Sequence, residues 1–133
     1  MASPPVSPGF LHIGELSRRT GRSIYTIRWY EQQKLIPGVR RDGAGRRIYR
    51  EQHVTWLDLL DRLRQSGMSI RQIREYAQLV RRGDATLEQR REMLRAHREL
   101  VDRKMTQLAA ARAVIDGKID FYAQWLREGK QPA

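Results

Sequence analysis

The side chains able to do chemistry in this chain are concentrated between Arg18 and Tyr49. Arg18, Arg28, Arg40, Arg41, Arg46 and Arg47 are permanent cations. Ser23, Tyr25, Thr26 and Tyr49 carry hydroxyls, and Trp29 an indole N–H. A guanidinium is a planar fork of donors that fits a phosphate or the edge of a guanine in the major groove. Hydroxyls donate to phosphate oxygens. From His12 to Arg50, ten Lys and Arg face only Glu15, Glu31 and Asp42, so seven of the chain's eleven net positive charges lie there. Charge so localised is the footprint of a binding face for an anionic partner, whether nucleic acid, an acidic membrane face or an acidic protein, and a DNA duplex is the partner we expect. Three of these residues carry a second reading. Ser23 serves equally as a helix cap, Tyr49 as a seal between a hairpin and the core, and Trp29 as core packing.

Other chemistries find little footing. The chain has no cysteine, so disulfides, thiolate metal sites and thiol nucleophiles are excluded. His12, His53 and His97 are scattered, without clustered acidic partners. Neither paired carboxylates nor a serine–histidine arrangement emerges, so we expect no enzyme, no metal and no cofactor. No apolar run approaches the ~18–20 residues that cross a bilayer. The N-terminus, MASPPVSPG, lacks a signal-peptide pattern, and a cytoplasmic protein without a membrane partner is expected.

Positioning those arginines requires a small scaffold. Residues 1–9, with three prolines, read as a disordered tail, and Phe10–Ile13 as an apolar lead-in. Glu15–Thr20 reads as a helix ended by Gly21, and Ser23 as the N-cap of a second helix, Ile24–Gln33. Two short helices joined through a glycine make a helix-turn-helix. In the second, Ile24, Ile27 and either Tyr30 or Glu31 share one side and leave Tyr25, Thr26, Arg28 and Trp29 on the other arc. Leu35–Gly38 breaks that helix. Val39–Asp42 and Arg46–Tyr49 flank Gly43-Ala44-Gly45, a hairpin signal. Glu51–Ser66 reads as a third helix with Val54, Leu57, Leu60 and Leu63 inward. Ser69 caps a fourth, Ile70–Arg82, with Ile73, Ala77 and Val80 inward.

From Thr86 onward a capping box (Thr86, Gln89) opens a long helix. Leu87, Leu94, Val101, Leu108, Ile115 and Tyr122 recur every seven residues. The second row, Arg91, Arg98, Met105, Arg112 and Ile119, is poorer. A sustained apolar heptad means a helix paired along a narrow seam, and a rod of ~45 Å exceeds what this head can cover, so a second copy is implied. Gly117 is expected to break the rod before a final aromatic turn. The domains then read as a tail (1–9), a DNA-binding head (10–82), a dimerisation helix (84–116, with Leu87, Leu94, Val101, Leu108 and Ile115 as its seam) and a short C-terminal helix and tail (117–133).

These residues resemble the mercury-resistance regulator (MerR) family of bacterial transcription factors. The resemblance runs from IGELSRRTG (Ile13–Gly21) through TIRWYEQQKLIP (Thr26–Pro37) and GRRIY (Gly45–Tyr49) to GMSIRQIREY (Gly67–Tyr76). It departs from the family pattern at Arg46, where an aromatic is usual, and at Trp29, where Tyr or Phe is usual. It implies a mainly α fold: a winged helix-turn-helix head with a β-hairpin wing, then a long helix forming an antiparallel coiled coil. It also implies a homodimer on an inverted-repeat promoter site, bending and untwisting promoters whose polymerase-recognition elements lie too far apart, and so a partnership with RNA polymerase.

The resemblance leaves the signal open. Cysteine-based metal and thiol sensing cannot carry over, and the seventeen residues after Asp116 are too few for the large drug-binding domain of some members. Trp56, Tyr76, Phe121, Tyr122 and Trp125 read first as packing. Their alternative is a pocket for a small hydrophobic effector of unknown identity. Two rivals to the regulator stand beside it: a non-specific architectural DNA-binding protein without a regulated promoter, and an adaptor using its basic face on RNA or an acidic protein.

Overall fold

The computed structural model describes residues 9–133, so the expected tail falls, but for Gly9, outside the described residues. The protein is mainly α, with a winged helix-turn-helix head and a long C-terminal helix. Its elements are β1 (Phe10–Leu11), α1 (Ile13–Thr20), α2 (Ile24–Gln32), β2 (Arg40–Arg41), β3 (Arg47–Arg50), α3 (Glu51–Gln65), α4 (Ile70–Arg81), a 3-10 turn (Asp84–Thr86) and α5 (Leu87–Glu128). The chain forms two compact units that divide after Leu94.

In the head, local signals set most boundaries. Gly21 adopts φ 71° and its N–H returns to the Ser17 carbonyl, which ends α1. Ser23 then accepts from the Thr26 backbone N–H at 3.0 Å and starts α2. The stop of α2 is Lys34, at φ 61°, with the Leu35 N–H bonded to the Tyr30 carbonyl at 2.9 Å. That left-handed position usually takes glycine. Ser69 and Gln72 exchange side-chain to backbone bonds of 3.1 and 3.0 Å at the start of α4.

Leu16, Ile27, Tyr30, Leu35, Tyr49, Leu57, Leu60 and Ile73 lie in one buried cluster, so every helix of the head and the wing contribute to it. Leu63 and Ala77 are buried as their spacing predicts, whereas Val54 and Val80 are half-buried and Ile24 is exposed.

Three expectations are corrected. The apolar lead-in is a strand: Phe10 pairs with Arg50 and Leu11 with Tyr49, so β1 completes an antiparallel sheet of order β1-β3-β2. The Thr86–Gln89 capping box does not form. Gly83, at φ 85°, turns the chain, and Thr86 is buried with its hydroxyl donating to the Leu79 and Gly83 carbonyls at 2.6 and 2.9 Å. Arg90 donates to that same hydroxyl at 2.9 Å, so Thr86 stitches the end of α4 to the start of α5. Finally, Gly117 does not break the rod, and α5 runs unbroken for 42 residues. A single interior glycine costs a helix only about 1 kcal/mol relative to alanine, far less than a proline.

No residue of α5 is buried. Leu87, Met105, Leu108, Ile115, Ile119 and Tyr122 are each at least half exposed. Leu94 instead packs against the core of its own head, so its seam position is already occupied within one chain.

Candidate nucleic-acid interface

The helix α2 turns two faces to different tasks. Ile27 and Tyr30 are buried, and the Tyr30 hydroxyl donates to Asp61 at 3.1 Å. Asp61 also pairs with Arg22, and Arg64 donates to the Tyr30 hydroxyl at 3.3 Å. Arg74 adds bonds to the Gln33 carbonyl and side chain at 2.9 and 3.0 Å. These long-range bonds fix α2 against α3 and α4. Its outer face is left to Tyr25, 78% exposed, and to Arg28. Thr26 is half-buried, and its hydroxyl accepts from Ser23 at 2.8 Å, so the Ser23 side chain is engaged as a cap. Trp29 is half-buried against the core and lies beside the Arg64 guanidinium, 5.7 Å from its ring centre. The packing reading of Trp29 therefore accounts for its ring.

The wing is ordered by Asp42. Its Oδ1 accepts from the Ala44 and Arg46 backbone N–H groups, both at 2.9 Å, and its Oδ2 accepts from Arg46 Nε at 3.2 Å. The Arg46 backbone N–H, with help from Ala44 and the Arg46 charge, holds this carboxyl below the ordinary carboxylate range despite desolvation. Gly45, at φ 82°, lets the chain reverse, and Arg41 donates to its carbonyl at 2.7 Å. Arg40 pairs in register with Ile48 and Arg41 with Arg47.

Wing and recognition helix meet at Glu31. One of its carboxylate oxygens accepts from the Tyr49 hydroxyl and the other forms an ion pair with Arg47, 2.5 Å from its Nε. Tyr49 is fully buried, with its ring edge-on to His53 at 5.8 Å between centres. Burial first, and the neighbouring Glu31 second, push its hydroxyl above the ordinary phenol range. Tyr49 is thus engaged between the wing and the core, with its hydroxyl committed to Glu31.

Between α2 and the wing lies an open recess of about 330 Å³, lined by His12, Ile13, Arg28, Arg41, Arg46 and Arg47. Four arginine side chains, one from α2 and three from the wing, line this one concavity, and their positive charge suits an anionic ligand. The structure therefore brings Arg28, Arg41, Arg46 and Arg47 together, with Tyr25 exposed on the same helix as Arg28. Arg18 and Arg40 are exposed but do not line the recess.

Sequence reasoning missed Glu31, Asp42 and His53 as organisers. Glu31 and Asp42 were visible as rare acids among ten cations. His53 gave no such signal: its Nδ1 accepts from the Arg50 N–H at 2.8 Å, a capping role usually held by Glu or Gln, and its Nε2 bonds the Pro37 carbonyl at 2.8 Å.

The five aromatics considered for an effector pocket form two clusters, one in each unit. Trp56 and Tyr76 stack at 5.3 Å in the head, where Trp56 Nε1 donates to the Leu35 carbonyl at 2.8 Å. Phe121, Tyr122 and Trp125 contact one another along α5. Among the described residues no group of three or more His, Cys, Asp or Glu could hold a metal ion, and no helix is long and apolar enough to cross a membrane.

Comparison with known proteins agrees with this geometry. The family model described as MerR HTH family regulatory protein matches residues 11–79, and that described as MerR, DNA binding matches residues 54–118. An uncharacterized HTH-type transcriptional regulator of Haemophilus influenzae is 31% identical over 106 residues, covering 80% of this chain and 78% of its own. The crystal structure of HiNmlR, a MerR family regulator lacking the sensor domain, bound to promoter DNA, superposes with a TM-score of 0.79 at 28% identity, covering 91% of this chain and 96% of its own. A putative MerR family transcriptional regulator from Listeria monocytogenes gives a TM-score of 0.82 at 34% identity, with 90% of each chain covered. All three are regulators rather than enzymes. With a winged helix-turn-helix head, a long C-terminal helix and family matches along most of its length, this chain belongs to the MerR family of HTH transcriptional regulators.

Proposed function

We propose that the protein acts as a homodimer that binds an inverted-repeat promoter site and regulates transcription by bending and untwisting it. Each head would lay α2 in a major groove, with Tyr25 and Arg28 toward the bases and phosphates. The wing would set Arg40, Arg41, Arg46 and Arg47 on the adjacent backbone. The observation that carries this reading is the recess lined jointly by arginines of α2 and the wing. The promoter-DNA complex of HiNmlR, a protein alike over 91% of this chain, supports it.

The second copy is supported by α5. A helix of 42 residues spans about 63 Å, and beyond Leu94, which packs on the head, its apolar row stays largely exposed in a single chain. Its exposed apolar row at Leu108, Ile115 and Tyr122, extended back to Val101, calls for a partner, and an antiparallel pairing of two such helices would hold two heads at a fixed separation. A bent site realigns the promoter elements for RNA polymerase.

Genome-wide footprinting of the bound protein tests the proposal. The expected result is a small set of inverted repeats within promoters whose polymerase-recognition elements are over-spaced. Uniform coverage without a shared repeat would instead mark a non-specific architectural protein.

A further inference from the structure

We propose that Glu31 is a positioning residue for DNA recognition, holding the wing guanidinium of Arg47 in the one arrangement in which the recess reads its site. This inference rests on the regulator reading above.

The recess gathers four cations, and β2 and β3 place Arg41 directly across from Arg47. Like charges on facing strand positions repel, so the wing alone would let Arg47 swing outward. Two carboxylates oppose this, each holding one arginine. Asp42 pairs with Arg46 inside the wing itself, whereas Glu31 reaches Arg47 from the recognition helix.

Glu31 is well suited to the task. It is the only acid on α2, and its side chain is only 10% exposed, against 36% for Arg47. Its other oxygen accepts from the hydroxyl of Tyr49, which is fully buried, so the carboxylate is anchored from behind before it meets the arginine. The contact uses Arg47 Nε, which leaves the terminal nitrogens for a ligand oxygen. Glu31 also places a negative charge among the phosphate-binding groups. That charge weakens attraction to any duplex while ordering the contact made to the right one.

The test is a double-mutant cycle on the intact dimer, with Glu31→Gln, Arg47→Gln and the double variant. Binding is measured on a duplex obtained by selection from random sequence and on an unselected duplex, and melting temperature reports the fold. Glu31→Gln is expected to lower the ratio of selected to unselected affinity by about tenfold, mainly by tightening binding to unselected DNA and loosening it on the site. In the Arg47→Gln background it should change that ratio no further. A full effect of Glu31→Gln without Arg47, or none with it, overturns the inference. Tyr49→Phe removes only the anchor behind Glu31 and keeps the ion pair, so it should lower the ratio in the same direction but by less; a loss greater than that of Glu31→Gln overturns the inference. If Glu31→Gln prevents folding, Arg47→Gln alone must lower the ratio, and an unchanged ratio counts against the proposal. Wild-type protein with no preference for any selected duplex would overturn the regulator reading and this inference with it. Wild-type preference retained unaltered by Glu31→Gln overturns this inference alone.

Discussion

His53 sits where α3 begins, with both ring nitrogens committed. Nδ1 accepts from the Arg50 N–H, so the ring proton lies on Nε2, donated to the Pro37 carbonyl. Protonating the ring would put a second hydrogen where Nδ1 now accepts and would place a charge in a buried site. Burial accordingly holds its pKa below the ordinary 6.5. Above that value folded and unfolded chains are both neutral here. As pH falls through it, unfolded chains take up a proton that folded ones refuse, and stability is lost down to the folded pKa. Thermal melts should therefore be flat from about pH 8 to about pH 7 and fall below about pH 6.5. In His53→Gln that step should be absent, because glutamine caps the helix without titrating. The acids Asp42 and Glu51 have depressed values, so their own losses begin at lower pH than this step. Residue roles were legible where one side chain has one job. Charge alone singles out Arg28 and the wing arginines, but Tyr49, Glu31 and His53 owe their contacts to residues on other elements.

At the scale of elements, boundaries set by a local cap were readable and those set by a distant partner were not. Gly21, Ser23 and Ser69 bond within their own turns, and the helices begin and end beside them. Strand β1 exists only because Phe10 and Leu11 find β3 some forty residues later, a pairing that two residues of sequence cannot announce. Thr86 likewise bonds back to the carbonyl of Leu79 instead of forward to its own helix. Gly117 was misread in the other direction, as a break where long helices on either side propagate through it. Its α-carbon faces open space, two positions beyond Ile115 and off both rows of the heptad. Gly117→Ala should therefore stabilise α5 by about 1 kcal/mol, seen as greater helicity by circular dichroism and a higher melting temperature. A lower melting temperature would show that the glycine supplies a bend the helix needs.

At the scale of the molecule, the heptad pattern calls for a second copy, but one of its seam positions, Leu94, packs on the head. Leu94 packs on its own core, so an aspartate there would damage the fold before it tested any dimer. Val101 and Ile115 lie beyond the head unit and are the cleaner probes. Val101→Asp with Ile115→Asp should yield monomers by light scattering, with an intact head and at least a hundredfold weaker binding on an inverted repeat, since two linked heads gain about that much from effective concentration. An unchanged dimer mass would place the seam elsewhere.

The central claim is that two arginine-lined recesses, held a fixed distance apart, grip the backbone of one duplex. Affinity for the selected inverted repeat measured against salt tests it most directly. With about eight phosphates neutralised per dimer, log affinity should fall against log salt with a slope near −7, and the selected duplex should stay favoured over random sequence throughout. A nearly flat salt dependence, or equal affinity for random duplex, would contradict the account.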